Sequence, residues 1–229
     1  MVTFPLVDTT MHYSVHGEGT PVLALHAATV EGSALRWLVR ALTGSGLQVI
    51  TPDQRGHGQT ANPASDLRLS RLVDDNVTLI NGLELAPVHA FGYSMGAAVN
   101  LYTARRLPEM FRSLVLLGAG YRAPSDERLL RVLGPEEMRR PIVRRVFDRD
   151  TGIVAGWGYP AEVFHAITCP VLIVMADRDE FNDPDDGLAL YRALPNAELL
   201  VVPHCGHFDL VNHPLVVSTI QDFYRRVID

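Results

Sequence analysis

The stretch "AFGYSMGAAV", residues 90–99, sets one serine between two glycines, with Gly92-Tyr93-Ser94-Met95-Gly96 at its centre. Behind it runs a β-type segment, "PVHAFGYS" (87–94), and ahead of it a helix-type segment, residues 95–106. A sharp turn from strand into helix holds the residue at the bend in an unfavourable backbone conformation and lifts its side chain clear of the sheet. Side chains two positions to either side would collide, so those positions need glycine. The helix N-terminus beneath adds partial positive charge where an anion would form. Taken alone, the pentapeptide also fits an ordinary turn with an incidental serine. The rest of the chain decides between the two.

Working outward, short apolar β-rich runs alternate with helix-period stretches. "PVLALHA" (21–27), "LQVITPD" (47–53), 87–94, "RSLVLLGAG" (112–120), "PVLIVMADRD" (170–179) and "AELLVVPHC" (197–205) read as strands. Several are nearly unbroken in their apolarity, as strands buried on both faces are. Residues 34–42, 70–85, 95–106, 184–194 and 214–227 read as helices. Such alternation predicts a mostly parallel sheet with helices on both faces. "MHYSVHGEG" near the start predicts one additional antiparallel strand. The rhythm breaks once, at 121–169, which is too long for a plain crossover and reads as a small insertion over one end of the sheet within a single domain, 1–229.

The bulk properties admit this architecture and narrow the function. At 229 residues, 47% hydrophobic and 20% charged, the chain can bury a substantial core. All twenty basic residues are arginine and the net charge is −6, which gives no reason to expect nucleic acid. Two cysteines, Cys169 and Cys205, make no disulfide framework. No signal peptide and no membrane-length apolar run is evident, so a cytoplasmic protein with no membrane partner is expected.

Four further motifs follow in order around the serine. "LALHAA" ends the first buried strand, and "DQRGHGQT" (53–60) follows the second. "MADRDEF" and "HCGHFDL" follow the last two strands. In this set and order the chain resembles the α/β-hydrolase superfamily over nearly its whole length. The resemblance implies that fold, with residues 121–169 as a reduced cap. It also implies the family's chain order of nucleophile, acid and base: Ser94, Asp179 and His207. Backbone N–H groups of Met95 and Ala28 are implied as the oxyanion hole. Ala27 stands where the family usually has glycine, which predicts a stiffer oxyanion turn.

The chemistry requires each part. A serine hydroxyl needs a base to take its proton, and imidazole needs a carboxylate to fix its tautomer. Asp177 and Asp179 both follow the same strand; the family pattern aligns Asp179 with the acid. Asp183, Asp185 and Asp186 surround Pro184, where capping a helix start accounts for them. His204, Cys205 and His207 invite a metal reading, but no spacing elsewhere completes a zinc site, so no metal and no cofactor are expected. His26 and His57 read as loop-shaping hydrogen-bonders and His213 as a cap of the last helix. Tyr93, Trp157, Tyr159 and Phe164 are candidates for the wall that meets a small-molecule substrate. Arg139, Arg140, Arg144 and Arg145 read mainly as a solvated face.

The expected activity is cleavage of a carboxylic ester, lactone or thioester through an acyl-enzyme on Ser94. Acyl transfer, carbon–carbon cleavage or cyclisation by the same residues stays open, as does a binding module that does not turn over. A serine in the nucleophile position speaks against epoxide hydrolase or haloalkane dehalogenase activity, for which the resemblance implies aspartate. The sequence leaves the oligomeric state open.

Overall fold

The computed structural model describes residues 2–118 and 120–228. Eight strands are present: β1 (Val2–Pro5), β2 (Thr10–His16), β3 (Thr20–Leu25), β4 (Leu47–Pro52), β5 (Val88–Tyr93), β6 (Phe111–Leu117), β7 (Val171–Ala176) and β8 (Ala197–Val202). They form one sheet in the order β1-β2-β4-β3-β5-β6-β7-β8. β1–β2 and β2–β4 pair antiparallel, and every other neighbour pairs parallel. β1, which the sequence reading missed, extends the antiparallel edge beside the expected extra strand.

The helices are α1 (Arg36–Leu42), α2 (Leu69–Gly82), α3 (Met95–Arg106), α4 (Asp126–Glu137), α5 (Pro141–Val146), α6 (Pro184–Ala193) and α7 (Pro214–Val227). Alternate residues of the central strands divide between two apolar layers. Leu23, Leu25, Leu114, Leu116, Ile173 and Met175 pack with residues of α2, α3 and α6. Val22, Ala24, Val115, Leu117, Leu172 and Val174 pack with α1 and α7 on the other face. Burial on both faces explains the unbroken apolar runs; each such side chain removed from water stabilises the fold by about 1.5–3 kcal/mol.

Strand order reverses between β3 and β5. From β3 the chain moves outward to β4, and from β5 it moves the opposite way through β6, β7 and β8. A crevice at the carboxyl ends of strands forms at such a switch point. The strand runs read from sequence overshoot their observed ends, by three residues at 112–120, 170–179 and 197–205, by two at 21–27 and by one at 47–53 and 87–94. The surplus residues are the loops that carry the site.

Between β6 and β7 lie α4, α5 and a short 3-10 turn, Ala161–Phe164. Gly134, at φ 73°, and Pro135 break α4 near its end. The segment is laced to the body by its arginines. Arg145 donates to the carbonyls of Asn62 and Ala64 and Arg122 pairs with Asp186, while Arg149, donating to Asp126 and the Pro124 carbonyl, braces the segment within itself. Among the described residues no helix is long and apolar enough to cross a membrane.

α3 can approach β3 only because Gly96 has no side chain: a Cβ there would sit 2.6 Å from the carbonyl carbon of Leu25. Gly96→Ala is expected to lower the unfolding free energy by about 1–3 kcal/mol through overpacking. Gly44→Ala, with nothing within 4 Å of the added carbon and no positive φ, is the matched control and stays within about 0.5 kcal/mol. Urea unfolding of the two variants checks the contrast.

Candidate active site

Ser94 occupies the step from β5 into α3 with φ 53° and ψ −113°, a conformation that costs a non-glycine residue about 1–3 kcal/mol. Its N–H donates to the Leu117 carbonyl at 2.8 Å and its carbonyl accepts from Ala98 N–H at 3.1 Å, so both neighbouring elements hold the bend. A Cβ on Gly92 would lie 2.5 Å from the Ala97 Cα, which is the collision expected from sequence. From Val88 to Ala104 every residue is buried except Ser94. The fold presents one hydroxyl at the floor of a cleft.

Asp179 and His207 arrive from the loops after β7 and β8. His207 Nδ1 lies 2.7 Å from Asp179 Oδ2, and both residues are buried. The other carboxylate oxygen, Oδ1, accepts from the N–H groups of Phe181 and Asn182, each at 2.8 Å. Asp179 is therefore engaged through both carboxylate oxygens, one of them on the imidazole. Asp177 is exposed and turned to the Cys205 N–H at 3.0 Å, which holds its carboxyl below the ordinary range. Glu180 accepts from the His207 N–H at 2.8 Å.

Aromatic rings fix the imidazole on three sides. Tyr93 stacks on it at 5.3 Å between centroids, Phe181 lies at 4.9 Å and Phe208 at 5.5 Å. The Tyr93 hydroxyl donates to the His207 carbonyl at 3.0 Å, and burial raises its pKa well above the usual phenol range. Tyr93 thus positions the histidine as well as lining the cleft. Among the described residues no hydrogen bond joins Ser94 Oγ to His207; the two meet as walls of the same cleft.

The turn after β3 carries Ala27, Ala28 and Thr29 into that cleft, opposite Met95 at the start of α3. A first-turn amide has no acceptor within its own helix, so the Met95 N–H is available to a ligand anion. The positive φ in the β3 turn falls on Thr29, at 64°, and not on Ala27. Alanine therefore enters without strain where glycine was expected to matter. His26 anchors the turn: its Nε2 accepts from Gln54 N–H at 2.9 Å and its carbonyl from Gln54 Nε2 at 2.8 Å. Accepting at Nε2 places the proton on Nδ1, which donates to the Ala27 carbonyl at 2.7 Å.

Asp53 secures the next loop, accepting from the N–H groups of Gly32 and Gln59 at 2.8 and 2.9 Å. Beside it, the buried Arg55 is clamped by Asp75, at 2.6 and 2.9 Å, and by Asp8, at 2.7 Å. The D-x-R-G-x-G loop is thus a structural brace under the site.

The cleft encloses about 710 Å³ counted out to its open mouth. Trp157 lines it, as expected from sequence. Tyr159 and Phe164 do not, which corrects their assignment. Phe164 is wholly buried against Tyr102, and Tyr159 lies half-exposed in a different cleft, under the Arg105 guanidinium at 4.0 Å. The wall comes instead from aliphatic residues of the insertion, among them Leu133, Val143, Val146 and Ile153, with Phe181, Asn182 and Phe208 from the loops. The helical spacing of Val143 and Val146 could have identified part of that wall.

Arg139, Arg140 and Arg144 are exposed, and Arg145 is the tether described above. Asp183 caps α6 by accepting from Asp185 N–H, whereas Asp186 is buried and paired with Arg122 at 2.8 Å, a departure from the capping role expected of it. His213 stands at the N-cap of α7 but makes no side-chain cap bond. Among the described residues no group of three or more His, Cys, Asp or Glu could hold a metal ion.

A family model described as the alpha/beta hydrolase fold matches residues 20–156. The chain belongs to that family. Over 258 residues, 95% of this chain and 90% of the relative, it is 28% identical to a 2-hydroxymuconate semialdehyde hydrolase of a Pseudomonas species. It is 29% identical over 113 residues to an (E)-2-((N-methylformamido)methylene)succinate hydrolase of Acinetobacter baylyi, covering 49% of this chain and 43% of that protein. A thermophilic esterase from Thermogutta terrifontis superposes with a TM-score of 0.78 at 23% identity, covering 96% of this chain and 94% of that one, which shows the shared fold.

The buried His26 makes stability depend on pH. Burial, and secondly the neighbouring His57, hold its pKa down to about 3, and burial lowers that of His57 as well. Above about pH 6.5 both folded and unfolded chains leave His26 neutral and the effect vanishes. Below it only the unfolded chain takes up the proton, so stability falls by about 1.4 kcal/mol per pH unit for each such histidine until the folded pKa is reached. Urea unfolding between about pH 7 and pH 5 is expected to show this slope, and His26→Asn to reduce it. An unchanged slope in the variant would assign the acid sensitivity elsewhere.

Proposed function

We propose that the protein is a serine hydrolase that cleaves a carboxylic ester, lactone or thioester of a small-molecule substrate through an acyl-enzyme on Ser94. The observation that carries this reading is the strained, glycine-flanked Ser94 sharing one cleft with a histidine whose Nδ1 is held 2.7 Å from a buried carboxylate. With Nδ1–H donating to Asp179, His207 keeps Nε2 free of a proton and serves as the base. The hydrogen bond from nucleophile to base is often loose until a reacting molecule is bound.

In the first half-reaction Ser94 Oγ attacks the carbonyl carbon as its proton passes to His207 Nε2. The carbonyl oxygen becomes an oxyanion facing the N–H groups of Met95 and Ala28, and the dipole of α3 adds to that stabilisation. The imidazolium, stabilised by Asp179, then gives its proton to the departing alcohol or thiol as the C–O or C–S bond breaks. Water entering through the open mouth repeats the sequence, with His207 as base and Ser94 as leaving group. The segment between β6 and β7 serves as the cap that walls the acyl or alcohol group. Relatives named for hydrolysis of a succinate derivative and of a muconate semialdehyde support hydrolysis over group transfer.

Ser94→Ala is expected to lose on the order of 10⁶ in kcat while remaining folded. A fluorophosphonate probe should label the wild type at Ser94 and not the variant; labelling that persists would sink the assignment. Asp179→Asn should lose about 10⁴ in kcat by favouring the wrong imidazole tautomer, and Asp177→Asn should retain most activity. Equal damage from the two aspartates, at equal folded concentration, would leave Asp179 without its role.

A further inference from the structure

The insertion carries eight arginines, yet none of them lines the cleft. The wall it presents is Pro124, Val143, Val146, Ile153, Val154 and Trp157, with Leu133, Phe147 and one charged residue, Glu137. Leu133 and Glu137 lie on either side of the Gly134–Pro135 break, which turns the end of α4 so that a carboxylate follows an aliphatic residue along the same wall. Glu137 is half-buried, and only its Oε1 is taken by Arg140, at 2.5 Å. Arg140 itself is exposed and does not line the cleft. The remaining groups around His207 reinforce the sign: Glu180 and Asp209 accept from the N–H groups of His207 and Gly206.

Resting on the hydrolase reading above, we propose that Glu137 is a specificity-determining residue that makes the cleft select neutral or cationic substrates and turn away those carrying a second, free carboxylate. A substrate carboxylate entering this apolar wall loses water, finds no arginine of the insertion lining the cleft, and faces a like charge that Arg140, bound to one oxygen from outside the cleft, offsets only in part. Coulomb repulsion at such a site, in an effective dielectric near 20 and several ångströms apart, is worth about tenfold in kcat/KM. A neutral group of the same size meets none of these penalties. Because Glu137 borders solvent, its repulsion also weakens as salt rises.

The test uses a pair of p-nitrophenyl esters matched in size, one acyl chain ending in a carboxylate and the other in its carboxamide. With Ser94-dependent nitrophenol release as the readout, the carboxamide ester is expected to be preferred by about tenfold at low salt, with the preference narrowing at high salt. Glu137→Gln should bring the ratio of the two kcat/KM values towards one. Arg140→Gln, which frees the second carboxylate oxygen of its partner, should widen it. An equal rate on both esters, or a ratio that neither variant moves, overturns the role of Glu137 while leaving the hydrolase reading in place. Absence of Ser94-dependent release from both esters overturns the hydrolase reading and the inference with it.

Discussion

The backbone of Ser94 is the constraint around which the rest is arranged. A φ of 53° on a residue with a side chain is uphill, and the cost of about 1–3 kcal/mol is met by neighbours that leave the bend no alternative. β6 takes the serine N–H, α3 takes its carbonyl, and two glycines let strand and helix close on each other. Relaxing the bend would break both hydrogen bonds and pull α3 out of the apolar layer it shares with β3. Strain at one residue is therefore held by the packing of three elements.

The loops around the serine are held by paired hydrogen bonds between buried polar groups. His26 accepts two hydrogen bonds from Gln54, Asp53 takes two loop amides, and Asp179 Oδ1 takes two more. Each bond is worth about 1 kcal/mol net, but leaving a buried partner unpaired costs more, so the loops have one low-energy arrangement. This is how a site built from five separate loop ends keeps a fixed geometry without a disulfide among the described residues. The same burial that fixes His26 as a neutral hydrogen-bonder makes it a point of acid sensitivity.

Much of this was legible in the sequence because the signals were local. The apolar runs gave the parallel strands, Gly92 and Gly96 bracketed the bend, and the strand-end motifs placed Ser94, Asp179 and His207 around it. Where the reading failed, the deciding information was tertiary. Tyr159 and Phe164 are aromatic residues of the insertion, but which face of the segment meets the cleft depends on the break at Gly134–Pro135 and on the tethers of Arg145 and Arg122. Asp186 read as a cap because it follows Pro184, yet a partner 64 residues away, Arg122, sets its place. β1 is short and largely exposed, so neither apolarity nor alternation announced it.

Division of labour between sheet and insertion follows from these two kinds of constraint. The serine, the histidine and the carboxylate stand at strand ends, where displacement by even a side chain's width would disturb buried hydrogen bonds on several loops. The insertion contributes aliphatic wall and one carboxylate, held to the body by arginines that point away from the cleft. A change of size or charge at Leu133, Glu137 or Val143 alters what the cleft receives without touching the bond between His207 and Asp179. The geometry at the strand ends is over-determined by buried hydrogen bonds, while the cleft wall of the insertion rests on apolar packing. On the proposed reading, substrate preference follows from the inner face of α4 and α5, and the reaction from the residues at the strand ends.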